Sequence, residues 1–326
     1  MKKILIIGGG GYVGSALADY LCKKGYEISI YDLFIYGEDV FNSKDKLNII
    51  QGDIRDQKKL AKTIEGNEIL IHLACISNDP SFELNPKLGK SINFDAFEPV
   101  VKLSVEKGIK RFIYASSSSV YGIKNEKNVK EDMSLEPLTD YSKYKAQCEN
   151  ILLNYKSNDF EIVIIRPATV CGYSKRQRLD VIVNILSNLA YHKREIYVFG
   201  GEQLRPNIHI TDMIRAYEVL IDADKDRVNG EIFNAGWENK SVNEIANTVK
   251  KNMGNDIKIT RTSTNDNRSY HISSEKIKNI LNFETKFTID DAVKDLKNAF
   301  EKKLLKNTLS NELYFNIKRM NGLNLK

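Results

Sequence analysis

The chain has 326 residues, and 49 lysines and arginines against 43 acidic residues give it a formal net charge of +6. This length allows one large domain, or two interlocked ones, to bury a sizeable core. The charge does not indicate a nucleic acid partner, because residues 301–326 alone carry six Lys or Arg against two Glu and no RNA-binding signature is visible. No apolar run approaches the roughly 20 residues of a membrane span, so we also expect no membrane partner.

The start of the chain and its cysteines predict a cytoplasmic protein. Met1-Lys-Lys3 is followed directly by a strand pattern rather than by the apolar region of a secretory signal. The four cysteines are scattered, with no C-x-x-C and no metal-ligand spacing. We therefore expect reduced thiols and no metal.

The first 25 residues predict a strand, a glycine-rich turn and a helix. The apolar run from Ile4 to Ile7 is typical of a strand buried on both faces, and a helical pattern follows the turn and ends near Gly25. Gly8, Gly11 and Gly14 have the spacing G-x-x-G-x-x-G. Such a turn lets backbone amides approach a pyrophosphate at the helix N-terminus, and its place between a strand and a helix favours this interpretation.

The next strand indicates which dinucleotide would bind. Glu27-Ile-Ser-Ile-Tyr-Asp32 ends in an acid 18 residues after Gly14. In a dinucleotide-binding fold this acid accepts hydrogen bonds from the adenosine ribose, and it would repel a 2′-phosphate. Since no Arg directly follows Asp32, the sequence predicts NAD rather than NADP. Two later strand ends, at Asp53-Ile54 and Leu73-Ala74, are predicted to line the same crevice.

A possible base follows further along the chain. Tyr141-Ser-Lys-Tyr-Lys145 places a phenol and an ammonium four residues apart, on one face if the segment is helical. A free tyrosine has a pKa of about 10, and a nearby lysine would lower it. The pair could therefore accept a proton from an alcohol. Such pairs are common on exposed helices, so the interpretation depends on the glycine turn upstream.

With these motifs together, the chain resembles the extended short-chain dehydrogenase/reductases, the NAD-dependent nucleotide-sugar epimerase/dehydratase group, over almost its whole length. Three further segments are similar to family motifs, namely Arg111–Gly122 with its serine run, Arg166–Gly172 and Arg205–Asp212. The resemblance implies an α/β fold, in which a doubly wound parallel sheet (a Rossmann domain) covers residues 1–170 and a smaller α/β substrate domain covers 171–326. A strand near 231–236 would return to the main sheet.

The resemblance also implies roles for individual residues. Ser117 would hydrogen-bond the substrate hydroxyl, Tyr141 would remove its proton, and Lys145 would hold the nicotinamide ribose. The cofactor-binding residues would be Gly8, Gly11, Tyr12, Val13, Gly14, Asp32, Asp53, Ile54, Leu73, Ala74, Tyr141 and Lys145. Beside Ser117, the substrate-binding residues would be Thr169, Arg178, Arg205 and Arg268, with Arg205 and Arg268 gripping the diphosphate of a nucleotide sugar.

Dehydratases of this group usually carry an Asp-Glu pair where this chain has Ser118 and Ser119, which argues against 4,6-dehydration. The sequence therefore predicts an epimerase that oxidises a sugar hydroxyl, with C4 favoured, through a transient keto-sugar. The run Ser174–Asp180 resembles a subgroup that includes enzymes making capsular or surface sugars. A net dehydrogenase, a keto-sugar reductase and a non-catalytic nucleotide-sensing or RNA-associated protein stay open as alternatives. The group is commonly dimeric through two helices, one of which would carry Tyr141.

Overall fold

The computed structural model of the chain describes residues 2–264, 269, 271–323 and 325. Its strands, in chain order, are β1 (Lys3–Ile7), β2 (Glu27–Asp32), β3 (Asn48–Gln51), β4 (Ile69–His72), β5 (Arg111–Ala115), β6 (Glu161–Pro167), β7 (Thr169–Cys171), β8 (Glu195–Phe199), β9 (Leu204–His209), β10 (Glu231–Ala235), β11 (Glu238–Ser241) and β12 (Lys258–Thr262).

The α-helices, in chain order, are α1 (Tyr12–Lys23), α2 (Gln57–Ile64), α3 (Asp79–Glu83), α4 (Pro86–Lys90), α5 (Phe97–Glu106), α6 (Asp140–Leu153), α7 (Ile182–Lys193), α8 (Ile210–Asp222), α9 (Lys225–Val228), α10 (Val242–Met253), α11 (Glu275–Leu281), α12 (Ile289–Glu301) and α13 (Asn316–Gly322). In the described part of the chain, none of them has the length and apolar character needed to span a bilayer.

Seven strands form one parallel sheet in the order β10-β6-β5-β4-β1-β2-β3. The order reverses beside β1, which pairs with β2 on one side and β4 on the other. All four residues of β4 are buried, as expected for a strand covered on both faces. The predicted doubly wound fold is confirmed, and a ligand crevice is expected at the carboxyl ends of β1 and β4, where the order reverses.

Helices cover both faces of this sheet. On one face α1 and α8 bury Leu17, Leu21 and Met213 against the strands. On the other face α5 and α6 bury Val100 and Leu152. These two apolar layers fix the sheet between them and leave the ends of the strands open.

The C-terminal half forms a smaller region beside the carboxyl ends of the sheet. It contains a three-stranded sheet in the order β11-β9-β7 and the strand pair β12-β8. Helices α7, α10 and α12 share a third apolar core with this region. Strand β10 pairs in parallel with β6 in the main sheet, so the chain returns to the first region before it completes the second.

A buried ion pair joins α6 to β6 below the open end of the sheet. Nη2 of Arg166 lies 2.6 Å from Oε2 of Glu149, and the two side chains are 3% and 2% exposed. Ser116 donates a hydrogen bond to the same carboxylate, and Arg166 Nη1 donates to the hydroxyl of Tyr121 at 2.7 Å. The pair thus anchors the residue that precedes Ser117.

Glu149→Gln should lower the free energy of unfolding by about 3–5 kcal/mol, because it leaves the Arg166 charge buried without a carboxylate. Denaturant unfolding monitored by circular dichroism measures this change. Glu65→Gln is the matched control, since Glu65 pairs with Lys107 at 3.3 Å on the surface with 68% of its side chain exposed, and it should have a far smaller effect. Equal losses in the two variants would contradict the stabilising role of the buried pair.

Candidate active site

A cavity of about 530 Å³ opens at the carboxyl ends of the parallel strands. The glycine turn after β1, the ends of β2, β4 and β5, and the segment after β7 all contribute to its wall. The residues predicted from the sequence that line it are Gly8, Gly11, Tyr12, Val13, Gly14, Asp32, Ile54, Leu73, Ala74, Ser117, Tyr141, Thr169, Arg178 and Arg205. The structure therefore brings most of the predicted cofactor and substrate residues into one space.

The glycine turn can be formed only without side chains. Gly8 has a φ of +84°, and a Cβ there would lie 2.4 Å from the backbone nitrogen of Ala74. A Cβ on Gly14 would lie 2.5 Å from the carbonyl oxygen of Gly8. Gly11 caps α1 and contributes no side chain to the cap. The N-terminal amides of α1 are thus open to the cavity, and this cradle fits the diphosphate of a dinucleotide.

Asp32 is held at the end of β2 by backbone hydrogen bonds. Its Oδ2 accepts from the amide of Gly10 at 2.9 Å, and its Oδ1 accepts from the amide of Phe34 at 2.7 Å. Burial raises the pKa of this carboxyl above its ordinary value, while the backbone amides favour the carboxylate. The fixed oxygens keep free lone pairs, so they fit a ribose diol.

The side chains of two predicted cofactor-binding residues form contacts with other parts of the protein. Asp53 pairs with Arg55 at 2.6 Å, while its neighbours Gly52 and Ile54 line the cavity. Lys145 is buried, and its Nζ donates to the carbonyl of Ala115 at 2.6 Å. Arg268, the remaining predicted substrate ligand, lies outside the described residues.

Local sequence positions the Ser, Tyr and Lys of the predicted catalytic set. Thr139 and Ser142 form a reciprocal cap at the start of α6, so that Tyr141 lies in the first turn and Lys145 one turn later. Ser117 is the second residue after β5, and its Oγ lies 2.8 Å from Oγ of Ser119. Ser117 and Tyr141 both face the cavity.

The electrostatic environment of Tyr141 differs from the one expected from the sequence. Burial raises the pKa of its phenol well above the ordinary value, and Cys75 and Asp79 add to the increase. The main opposing influences are the charge of Arg178 and a hydrogen bond with Ser117. Lys145, the expected cause of a lowered pKa, has its Nζ 6.0 Å from the Tyr141 ring centroid. Among the described residues, the charge of Arg178 is thus the main one that favours the phenolate.

The wall formed by the C-terminal region carries the remaining predicted substrate residues. Thr169 in β7 pairs with Asn207 in β9, the strand that also carries Arg205. Nη1 of Arg205 donates to the carbonyl of Leu204 at 3.0 Å. These two strands thus present a hydroxyl and a guanidinium to the cavity.

Several lining residues were not selected from the sequence. Arg176 and Asp180 lie within the run that resembles the surface-sugar subgroup, but only Arg178 was chosen from it, because no spacing rule singles out the others. Tyr36 and Met320 also line the cavity. No sequence signal places Met320 there, since the C-terminal segment shows only a basic, polar composition.

Comparison with known proteins agrees with this architecture. Residues 4–236 match the NAD dependent epimerase/dehydratase family. A UDP-N-acetyl-alpha-D-glucosaminuronate decarboxylase of Bacillus cytotoxicus is 29% identical, over 85% of each chain. An uncharacterized UDP-glucose epimerase of Bacillus subtilis, YtcB, is 30% identical, over 77% of this chain and 82% of its own.

Solved structures share the fold. The UDP-glucose 4-epimerase of Thermotoga maritima, determined with UDP-glucose, superimposes with a TM-score of 0.85 at 22% identity, covering 93% of this chain and 100% of its own. At this identity the likeness concerns the fold alone. The family assignment comes from the match over residues 4–236: the chain is an NAD-dependent enzyme and belongs to the NAD dependent epimerase/dehydratase family.

Proposed function

We propose that the protein is a nucleotide-sugar epimerase that inverts a sugar carbon, with C4 favoured, through a transient keto-sugar. The observation that carries the proposal is that Ser117 and Tyr141 line the same cavity as the glycine cradle and Asp32. A proton acceptor and a dinucleotide site therefore face one substrate space. The relatives named for UDP-sugar chemistry support a uridine nucleotide as the carrier of the sugar.

The cofactor would be held by the glycine turn at its diphosphate, by Asp32 at its adenosine ribose and by Lys145 at its nicotinamide ribose. When bound, NAD supplies a hydride acceptor for the carbon that carries the reacting hydroxyl. Lys145 has three N–H donors, so it can bind a ribose hydroxyl while keeping its hydrogen bond to Ala115.

The chain's own residues would handle the proton. Ser117 donates or accepts a hydrogen bond at the reacting hydroxyl and keeps it next to Tyr141. The Tyr141 phenolate takes the hydroxyl proton as the carbonyl forms. After the keto-sugar has turned its other face, Tyr141 returns the proton to the carbonyl oxygen while the carbon takes back the hydride that the bound cofactor would have accepted, and this completes the inversion. Release of the keto-sugar instead would make the enzyme a net dehydrogenase, with the same residues in the same roles.

The substrate would lie along the wall formed by β7 and β9. Thr169 and Arg205 would contact it, with Arg205 at its diphosphate and Arg268 as a second phosphate ligand. Ser118 and Ser119 also line the cavity, at the positions where dehydratases of the group carry acids. Three carboxylates line it in the described part of the chain: Asp32 is assigned to the adenosine ribose, Asp79 accepts a hydrogen bond from Thr139, and Asp180 pairs with Arg178 at 2.6 Å. This arrangement favours epimerisation over dehydration.

The likeness of the run Ser174–Asp180 to the surface-sugar subgroup supports a role in surface polysaccharide biosynthesis, carried out in the cytoplasm.

We also propose a homodimer in which α6 is one of two contacting helices. Sedimentation velocity of the full chain should give the mass of a dimer. A monomer at micromolar concentration would contradict this part of the proposal.

Tyr141→Phe should lower the rate of nucleotide-sugar conversion by about 10²–10⁴-fold, because it removes the proton acceptor. NMR of a panel of UDP-sugars, together with the absorbance of NADH, measures both epimer formation and net oxidation. Tyr144→Phe is the matched control, since Tyr144 lies on the same helix but stacks on Phe94 with ring centroids 5.0 Å apart. Wild-type activity in Tyr141→Phe would refute the assigned role.

Arg178→Met should move the acidic limb of the pH profile of kcat/KM to higher pH. The substitution removes a positive charge that acts on Tyr141 and leaves the carboxylate of Asp180 without its partner, and both changes raise the pKa of Tyr141. Because the phenolate needed as base predominates only above that pKa, the activity should rise at a higher pH. The profile should be measured at saturating NAD, so that cofactor binding does not limit the rate. Lys143→Met removes an exposed cation from the same helix and should leave the profile in place. An unmoved profile in Arg178→Met would count against the electrostatic account.

A further inference from the structure

Two arginines in the segment after β7 reach the cavity with unpaired N–H groups. Arg176 is only 4% exposed, and its Nε has no hydrogen-bond partner among the described residues. The same holds, within that part of the chain, for Nη2 of Arg178. Both side chains line the cavity. A desolvated cationic N–H group is costly to leave unpaired, so these two atoms indicate that an anionic acceptor binds here.

The two guanidinium groups are held in place by other contacts. Arg176 stacks on Tyr36, 3.6 Å from the ring centroid, and its Nη2 donates to Oδ1 of Asn316 at 3.1 Å. Arg178 Nε donates to Asp180 at 2.6 Å, and the other oxygen of Asp180 accepts from the amide of Asn316 at 2.7 Å. The first residue of α13 thus braces both arginines. Because the two side chains are already fixed, they lose less conformational entropy when a ligand binds.

The segment that carries the arginines is fixed directly to the glycine turn. The hydroxyl of Tyr12 donates to the carbonyl of Gly172 at 2.6 Å and accepts from Nδ2 of Asn184 at 3.1 Å. Ser174 Oγ donates to the carbonyl of Tyr12 at 3.2 Å. Tyr12 is the first residue of α1, where the amides that receive a dinucleotide diphosphate lie. The arginines therefore belong to a segment attached to the diphosphate cradle itself.

Each arginine also acts on a residue at one of the two predicted ribose positions. The charge of Arg176 acts on Asp32, which we assign to the adenosine ribose, and Arg176 stacks on Tyr36, four residues beyond it. The charge of Arg178 acts on Tyr141, at the end assigned to the nicotinamide ribose. In a dinucleotide the diphosphate links the two riboses, so it would pass between Asp32 and Tyr141.

We propose that Arg176 and Arg178 bind the diphosphate of the dinucleotide together with the amides of the glycine turn. The inference rests on the proposed NAD-dependent function, and it reassigns Arg178 from the substrate to the cofactor. Guanidinium groups match phosphate oxygens in geometry and charge. The hydrogen bonds of Arg176 go to neutral acceptors, the side chain of Asn316 and the carbonyl of Gln177, so its charge is available to the ligand. Arg205, on β9, is left to serve the substrate.

A diphosphate could belong to the cofactor or to the nucleotide sugar, and binding probes separate the two. Calorimetry with ADP, adenosine and UDP should be carried out on the wild-type chain and on Arg176→Met and Arg178→Met. We expect both substitutions to weaken ADP binding at least about tenfold and to leave adenosine and UDP binding unchanged. The NAD retained through purification should fall in parallel. Lys175→Met is the matched control, because Lys175 lies in the same segment but pairs with Asp39 at 2.7 Å on the surface.

Other outcomes would overturn the proposal. Weakened UDP binding with unchanged ADP binding would assign the pair to the substrate, and an equal loss for adenosine and ADP would show a role unrelated to phosphate. If circular dichroism shows that Arg176→Met is unfolded, Arg176→Lys keeps the cation without its planar fork and should still weaken ADP binding. Tyr141→Phe should bind ADP like the wild type, so this test can fail without affecting the proposed base, and the proposed base can fail without affecting this test.

Discussion

The site depends on the close approach of two backbones at the point where the strand order reverses. A Cβ on Gly8 would lie 2.4 Å from the backbone nitrogen of Ala74, and one on Gly14 would lie 2.5 Å from the carbonyl oxygen of Gly8. This contact places the turn after β1 against the end of β4 and opens the N-terminus of α1 to the cavity. Asp32 and Ser117 lie around that opening because parallel strands end at one edge of the sheet, and the first turn of α6 adds Tyr141 to the same cavity.

Features that depend on neighbouring residues could be predicted from the sequence. The glycine spacing, the acid at the end of β2 and the four-residue interval from Tyr141 to Lys145 each follow from local backbone geometry. Features that depend on distant contacts could not. Asn316, which braces Arg176, is 140 residues away along the chain. Arg178, whose charge opposes the effect of burial on the pKa of Tyr141, likewise belongs to a separate segment of the chain.

The cations around the cavity divide between two tasks. The segment that carries Arg176 and Arg178 is fixed to the glycine turn through Tyr12, whereas Arg205 lies on β9, in the separate sheet that we assign to the substrate. A cofactor held by these two arginines would stay in place while the sugar turns, as an enzyme that regenerates its own cofactor requires. Arg178 would then bind the cofactor and also support the base, since its charge favours the Tyr141 phenolate.

The central claim is that a sugar carbon is oxidised and then reduced again without leaving the site. Nucleotide sugars deuterated at C4 test this claim directly when the product is analysed by NMR and mass spectrometry. The account predicts an inverted C4 that retains its deuterium, because the same hydrogen leaves and returns. Inversion with loss of deuterium to solvent, or a panel of UDP-sugars in which no sugar carbon changes, would contradict it.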